Sequence, residues 1–101
     1  MKIIKRDSKD ILTDEAHGGS GSRKVFASGE HLKSAHFDAM TRGWLPAGKT
    51  FDWHDHDSIE EIMTVISGVG EVHDEDGVYA YAPGDVFVFP ANTMHKFIIR
   101  Q

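Results

Sequence analysis

Two histidines one residue apart, a glutamate a few positions later and a third histidine far along the chain could together do chemistry. They are His54 and His56 in Thr50-Phe-Asp-Trp-His-Asp-His56, then Glu61, then His95. Successive side chains on a strand alternate faces, so His54 and His56 point the same way, as neighbouring ligands must. Glu61 opens the next apolar segment and shares a face with Met63 and Val65. His95 begins a run in which His95, Phe97 and Ile99 alternate with Lys96, Ile98 and Arg100. One face of that run is a histidine followed by apolar residues, and the other carries two cations. Three imidazoles and a carboxylate suit one divalent first-row transition metal ion, Fe, Mn, Ni, Co, Cu or Zn. Four such ligands leave room for water or substrate on a six-coordinate ion.

The elements that must position these groups read as strands. From about residue 35 the chain alternates apolar segments with turn residues and shows no sustained helical period. The expected strands are Ala35–Trp44, Thr50–His56, Glu61–Ile66, Val69–Asp74, Val78–Ala82, Asp85–Phe89 and His95–Arg100. Pro46-Ala-Gly48, Ser67-Gly-Val-Gly70, Asp74-Glu-Asp-Gly77, Pro83-Gly84 and Pro90-Ala-Asn92 punctuate them. Each supplies a fixed φ or a residue that tolerates positive φ. Several short strands at regular spacing imply an all-β sandwich or small barrel. Residues 1–34 read as a polar N-terminal extension, with Lys24–Ala27 as a possible edge strand and residues 17–22 as a flexible loop.

Composition narrows the function. The 101 residues suffice for one domain. Net charge is -5, with 16 acidic residues against 11 basic, so no footprint exists for a phosphate backbone or an anionic membrane. Nucleic acid and membrane are therefore not expected partners. With no cysteine, disulfides, thiolate metal sites and cysteine nucleophiles are excluded. No apolar run has the length of a signal-peptide core or a membrane span, and a cytoplasmic location is expected.

Gly48-x5-His54-x-His56-x4-Glu61-x6-Gly68 resembles the first cupin motif at every marked position. Gly84-x5-Pro90-x-Asn92-x2-His95 is similar to the second, with Asn92 where glycine is usual and Ile99 where asparagine is usual. Asparagine is the non-glycine residue most tolerant of left-handed backbone, so Asn92 can keep the turn. The resemblance covers residues 48–99. It implies an all-β, cupin-type jelly-roll β-barrel over residues 35–101, metal ligation by His54, His56, Glu61 and His95, and commonly a homodimer. Glu60 competes with Glu61 as ligand, and the spacing to Gly68 favours Glu61.

Isolated H-x-H pairs arise often on surfaces, and a metal-dependent TIM barrel with that motif needs about 250 residues. His17, His31, His36 and His73 read as surface residues, and the acidic run Asp74-Glu-Asp76 as a solvated hairpin. The strand Asp85-Val-Phe-Val-Phe-Pro90 is apolar on both faces, and Ile62 and Ile66 lie on an outward face, so a second subunit is expected to cover them. Two functions follow. One is a metal-dependent enzyme, dioxygenase-like or isomerase/lyase-like, acting on a small oxygen-rich molecule, with Glu61 able to shift on and off the ion as a catalytic group. The other is a module that binds or senses a small ligand without turnover.

Overall fold

The computed structural model describes residues 3–16, 21–33, 36, 38–55 and 58–101. His17, Ala35, His56 and Asp57 thus lie outside the described residues. The chain forms two compact units, Met1–Leu45 and Pro46–Gln101. Among the described residues there is no α-helix, and no helix long and apolar enough to cross a membrane.

In the first unit a 3-10 turn at Ser8–Asp10 is capped by Asp7, whose carboxylate accepts from the Lys9 amide. Three antiparallel strands follow, β1 (Asp14–Ala16), β2 (Gly21–Ala27) and β3 (Met40–Trp44), in the order β1-β2-β3. The strand expected at Lys24–Ala27 is therefore longer and central rather than at an edge. Its neighbours cover both backbone sides: β1 pairs Asp14 with Arg23, and β3 pairs Trp44 with Ser22. Of the loop expected at 17–22, Gly21 and Ser22 join β2 instead, and residues 17–20 lie outside the described residues. Lys24 and Arg6 tie this unit to itself through backbone carbonyls, Lys24 Nζ donating to Ser8 O and Arg6 to Val25 O and Phe26 O. Arg42 lies 5.0 Å over the Trp44 ring.

The second unit contains β4 (Thr50–His54), β5 (Glu61–Thr64), β6 (Gly70–Asp74), β7 (Val78–Tyr81), β8 (Val86–Phe89) and β9 (His95–Ile99). All pairings are antiparallel, as a four-stranded sheet in the order β4-β9-β6-β7 and a two-stranded sheet β5-β8. Every strand expected after residue 50 is present, shorter by one or two residues at its ends. The core is Phe51, Val65, Val72, Phe89, Phe97 and Ile99, with His95 as its single buried polar residue among those described. Alternation on β9 is complete: His95, Phe97 and Ile99 are buried while Lys96 and Ile98 are less so. Burying a phenylalanine of this kind contributes about 1.5–3 kcal/mol.

Turn chemistry explains the punctuation. Gly68 has φ +86, and a Cβ there would overlap the Gln101 carbonyl, so both backbone and space demand glycine. Asn92 has φ 63 and takes up the left-handed conformation in place of glycine. Its side-chain Oδ1 also accepts from the Ser58 amide at 3.4 Å. Ile99, the other departure, is only 4% exposed and belongs to the core.

Candidate metal centre

A bulge in β4 sets the site. Phe51 pairs with Phe97 and His54 with His95, so Asp52 and Trp53 together stand opposite Lys96 alone. Strict alternation would put Phe51 and His54 on opposite faces. The extra residue brings both onto the inner face, with ring centroids 4.8 Å apart. Trp53 is left outside, where Lys96 Nζ lies 5.1 Å over its ring.

His54 and His95 are direct cross-strand partners, with ring centroids 4.2 Å apart. His95 is only 1% exposed, enclosed by Phe89 at 4.4 Å and Phe97 at 5.6 Å between centroids. Each imidazole is oriented by a backbone carbonyl. His54 Nδ1 lies 2.8 Å from Asp52 O, and His95 Nδ1 lies 2.7 Å from Thr93 O. A carbonyl can only accept, so Nδ1 carries the hydrogen in both rings. In the neutral ring that leaves Nε2 with the lone pair, the tautomer a metal ligand requires. The donor chemistry of these two residues therefore fits a divalent ion.

Glu61 opens β5 opposite Phe89, whose ring stacks on His95. It is half-buried, whereas Glu60 is exposed and outside the strand. The structure pairs His54 with His95 across β4 and β9, and among the described residues no group of three His, Cys, Asp or Glu side chains is placed to hold a metal. His56 lies outside the described residues.

Other histidines sort differently. His36 is exposed, and His31 is half-buried, with Nδ1 accepting from the Ser28 amide. His73 departs from the expected surface position: its side chain is 19% exposed and Nε2 lies 3.6 Å from Glu71 Oε1. Arg100 donates to both oxygens of that carboxylate, Nε at 2.7 Å and a terminal nitrogen at 3.3 Å. The Arg100 hydrogen bonds, more than any other cause, hold Glu71 below the ordinary carboxylate range.

Beside His95 lies a cavity of about 230 Å³, lined by Phe87, Phe89, Thr93, Asp74 and Tyr79 among others. Asp74 is the cross-strand partner of His95 on the side opposite His54, so these three residues form one row across the sheet. Asp74 escaped the sequence reading because Asp74-Glu-Asp-Gly77 has the composition of a solvated turn. The face shared by Gly70, Val72 and Asp74 was the available signal.

A family model for the cupin domain matches residues 44–101, and the chain belongs to that family. No curated protein sequence matches it. Among solved structures, KdgF from Halomonas sp. is 22% identical with a TM-score of 0.77, over 94% of this chain and 82% of that one. An RmlC-like cupin from Shewanella frigidimarina is 19% identical with a TM-score of 0.73, over 93% and 78% of the two chains. A protein described as a predicted oxalate decarboxylase, from Thermotoga maritima, is 20% identical with a TM-score of 0.71, over 97% and 90%. At these identities the likeness defines the fold, the all-β cupin jelly roll.

Proposed function

We propose that this cupin holds one divalent first-row metal ion through His54, His56, Glu61 and His95 and acts with it on a small oxygen-rich molecule. The observation that carries the reading is the matched pair of carbonyl-anchored imidazoles, His54 on Asp52 O and His95 on Thr93 O. Both anchors lie within the strand or turn that carries the ring, so the tautomer is set before any ligand arrives. When bound, the ion supplies Lewis-acid polarisation of a ligand oxygen or, as iron or manganese, dioxygen chemistry. Phe89 and Phe97 exclude water around His95, and the adjoining cavity gives a ligand its place. A neighbour described as a predicted oxalate decarboxylase supports a small acid as the kind of ligand.

Purified protein should carry close to one ion per chain by elemental analysis. His54→Ala and Glu61→Gln should each remove most of it, and Glu60→Gln should leave it in place. Substoichiometric metal unchanged by His54→Ala would end the assignment. Turnover is then sought with iron, manganese, nickel and zinc forms on chelating acids, diketones and enediols, in air and without oxygen. Dependence on oxygen marks dioxygenase chemistry, and its absence marks isomerase or lyase chemistry. Saturable binding with turnover in no form would assign a binding module instead.

We further propose a homodimer. Ile62, Ile66, Val86 and Val88 are 59–73% exposed, and Ile62 stands directly opposite Val88 across the β5-β8 pair. This apolar stripe matches the self-complementary patch a two-fold contact needs. Ile66→Asp should shift a dimer toward monomer in sizing with light scattering. A wild type monomeric at micromolar concentration would refute the dimer.

A further inference from the structure

The two anchored imidazoles owe their carbonyls to different devices. Thr93 O, which orients His95, belongs to a turn closed by backbone: Thr93 N–H donates to Pro90 O at 3.3 Å, and Asn92 takes the left-handed conformation. Asp52 O, which orients His54, sits in the bulge of β4, where neither Asp52 nor Trp53 has a partner in the register with β9. A bulge disrupts the ladder that would otherwise fix its peptides. Here a side chain takes that place. Asp52 Oδ1 accepts from the Trp53 amide at 2.7 Å. That amide and the carbonyl that His54 Nδ1 meets at 2.8 Å belong to one and the same peptide, the one joining Asp52 to Trp53. A trans peptide is planar, so its N–H and C=O point in opposite directions and fixing one aims the other. Lys96, 5.1 Å over the Trp53 ring, restrains the far side of the same peptide. Aspartate is depleted in strands because its carboxylate competes with the ladder for nearby amides. At position 52 the site uses that competition.

We propose that Asp52 is a positioning residue for His54. Its carboxylate locks the peptide between Asp52 and Trp53, and the carbonyl of that peptide holds the His54 ring with hydrogen on Nδ1 and the lone pair on Nε2. Asp52 acts through the backbone and is not one of the ligands. His95 needs no such help, because its carbonyl is set by the turn and its ring is 1% exposed. His54 is less buried, and its peptide lies in the irregular part of an edge strand, so a side-chain lock has most to do there. The inference rests on the metal reading above and adds the group that prepares one of its ligands.

The chelator-stripped full chain is compared with its Asp52→Ala and Asp52→Asn variants, with a melting temperature recorded for each. Ring-nitrogen chemical shifts at about pH 9, where an ordinary imidazole is neutral, report the tautomer of each histidine. Calorimetric titration with nickel gives the dissociation constant. In Asp52→Ala the His54 nitrogens should move toward the values of a tautomer mixture, while those of His95 stay in place. Nickel should bind that variant about fivefold more weakly, the loss of one net hydrogen bond. Asp52→Asn keeps a side-chain oxygen that accepts and removes the charge, so its nickel affinity should return to within about twofold of wild type. Its His54 tautomer should return as well. An Asn variant as weak as the Ala variant would mean that charge at position 52 attracts the ion. That result, an unmoved His54 tautomer in Asp52→Ala, or unchanged nickel affinity there, overturns the positioning role and leaves the metal ligands standing. Wild type that takes up no nickel, manganese or zinc removes the metal reading, and the role of Asp52 falls with it.

Discussion

Phe51, Val65, Val72, Phe89, Phe97 and Ile99 pack with His95 inside Pro46–Gln101, whereas no described side chain of Met1–Leu45 is buried to that degree. Both units are antiparallel sheet, yet their stabilising terms differ. The second gains from apolar burial and aromatic contacts such as Phe51 with Phe97 at 5.8 Å. The first relies on its backbone ladder, on Lys24 and Arg6 reaching carbonyls, and on the Arg42–Trp44 contact. Exposed hydrogen bonds contribute little net free energy, because water competes for every partner. The comparison teaches that the metal-ligand candidates sit in the unit with the larger resistance to local opening.

The largest expected effect comes from truncating the core. Phe97→Ala should cost about 3–5 kcal/mol in urea unfolding, while Val25→Ala on β2 should cost less than about 1 kcal/mol. Comparable losses at the two sites would break the contrast. A smaller effect is expected from metal. At a hundredfold excess over its dissociation constant, a metal ion adds about 2.7 kcal/mol to the unit that binds it. Single-tryptophan variants resolve the units, because Trp44 reports on the first and Trp53 on the second. Metal should raise only the Trp53 transition, and a Trp44 transition that rose equally would show that the units unfold together.

The smallest effect sharpens the contrast at the surface of β6. Glu71 is held below its ordinary value, chiefly by hydrogen bonds from Arg100. Its contribution is therefore present above the unfolded carboxylate value, near 4.5, and is lost as pH falls through the lower folded value. Arg100→Gln should move the Glu71 carboxyl titration upward by NMR and bring acid unfolding to slightly higher pH. An unmoved Glu71 titration would assign the shift to another neighbour. Both side chains are solvent-accessible, so the change in stability should be small.

Much of the second unit was legible in the sequence because its strands follow simple alternation. His95, Phe97 and Ile99 read as one buried face, and so they are. Asn92 read as a left-handed residue, and its φ of 63 agrees. Three features were not legible. No glycine or proline marks the bulge at Asp52 and Trp53, so period two alone places Phe51 opposite His54. The place of Asp74 beside His95 depends on register with β9, which turn composition does not reveal. Strand β1, Asp14-Glu-Ala16, has little β propensity and exists through its pairing with β2.

Strand β4 forms one edge of its four-stranded sheet, and edges are where foreign strands add. The bulge that brings His54 inside also breaks the even row of amides and carbonyls along that edge. An incoming strand that matches Thr50 and Phe51 loses register before it reaches His54. One inserted residue thus turns a histidine inward and makes the same strand a poor template for aggregation.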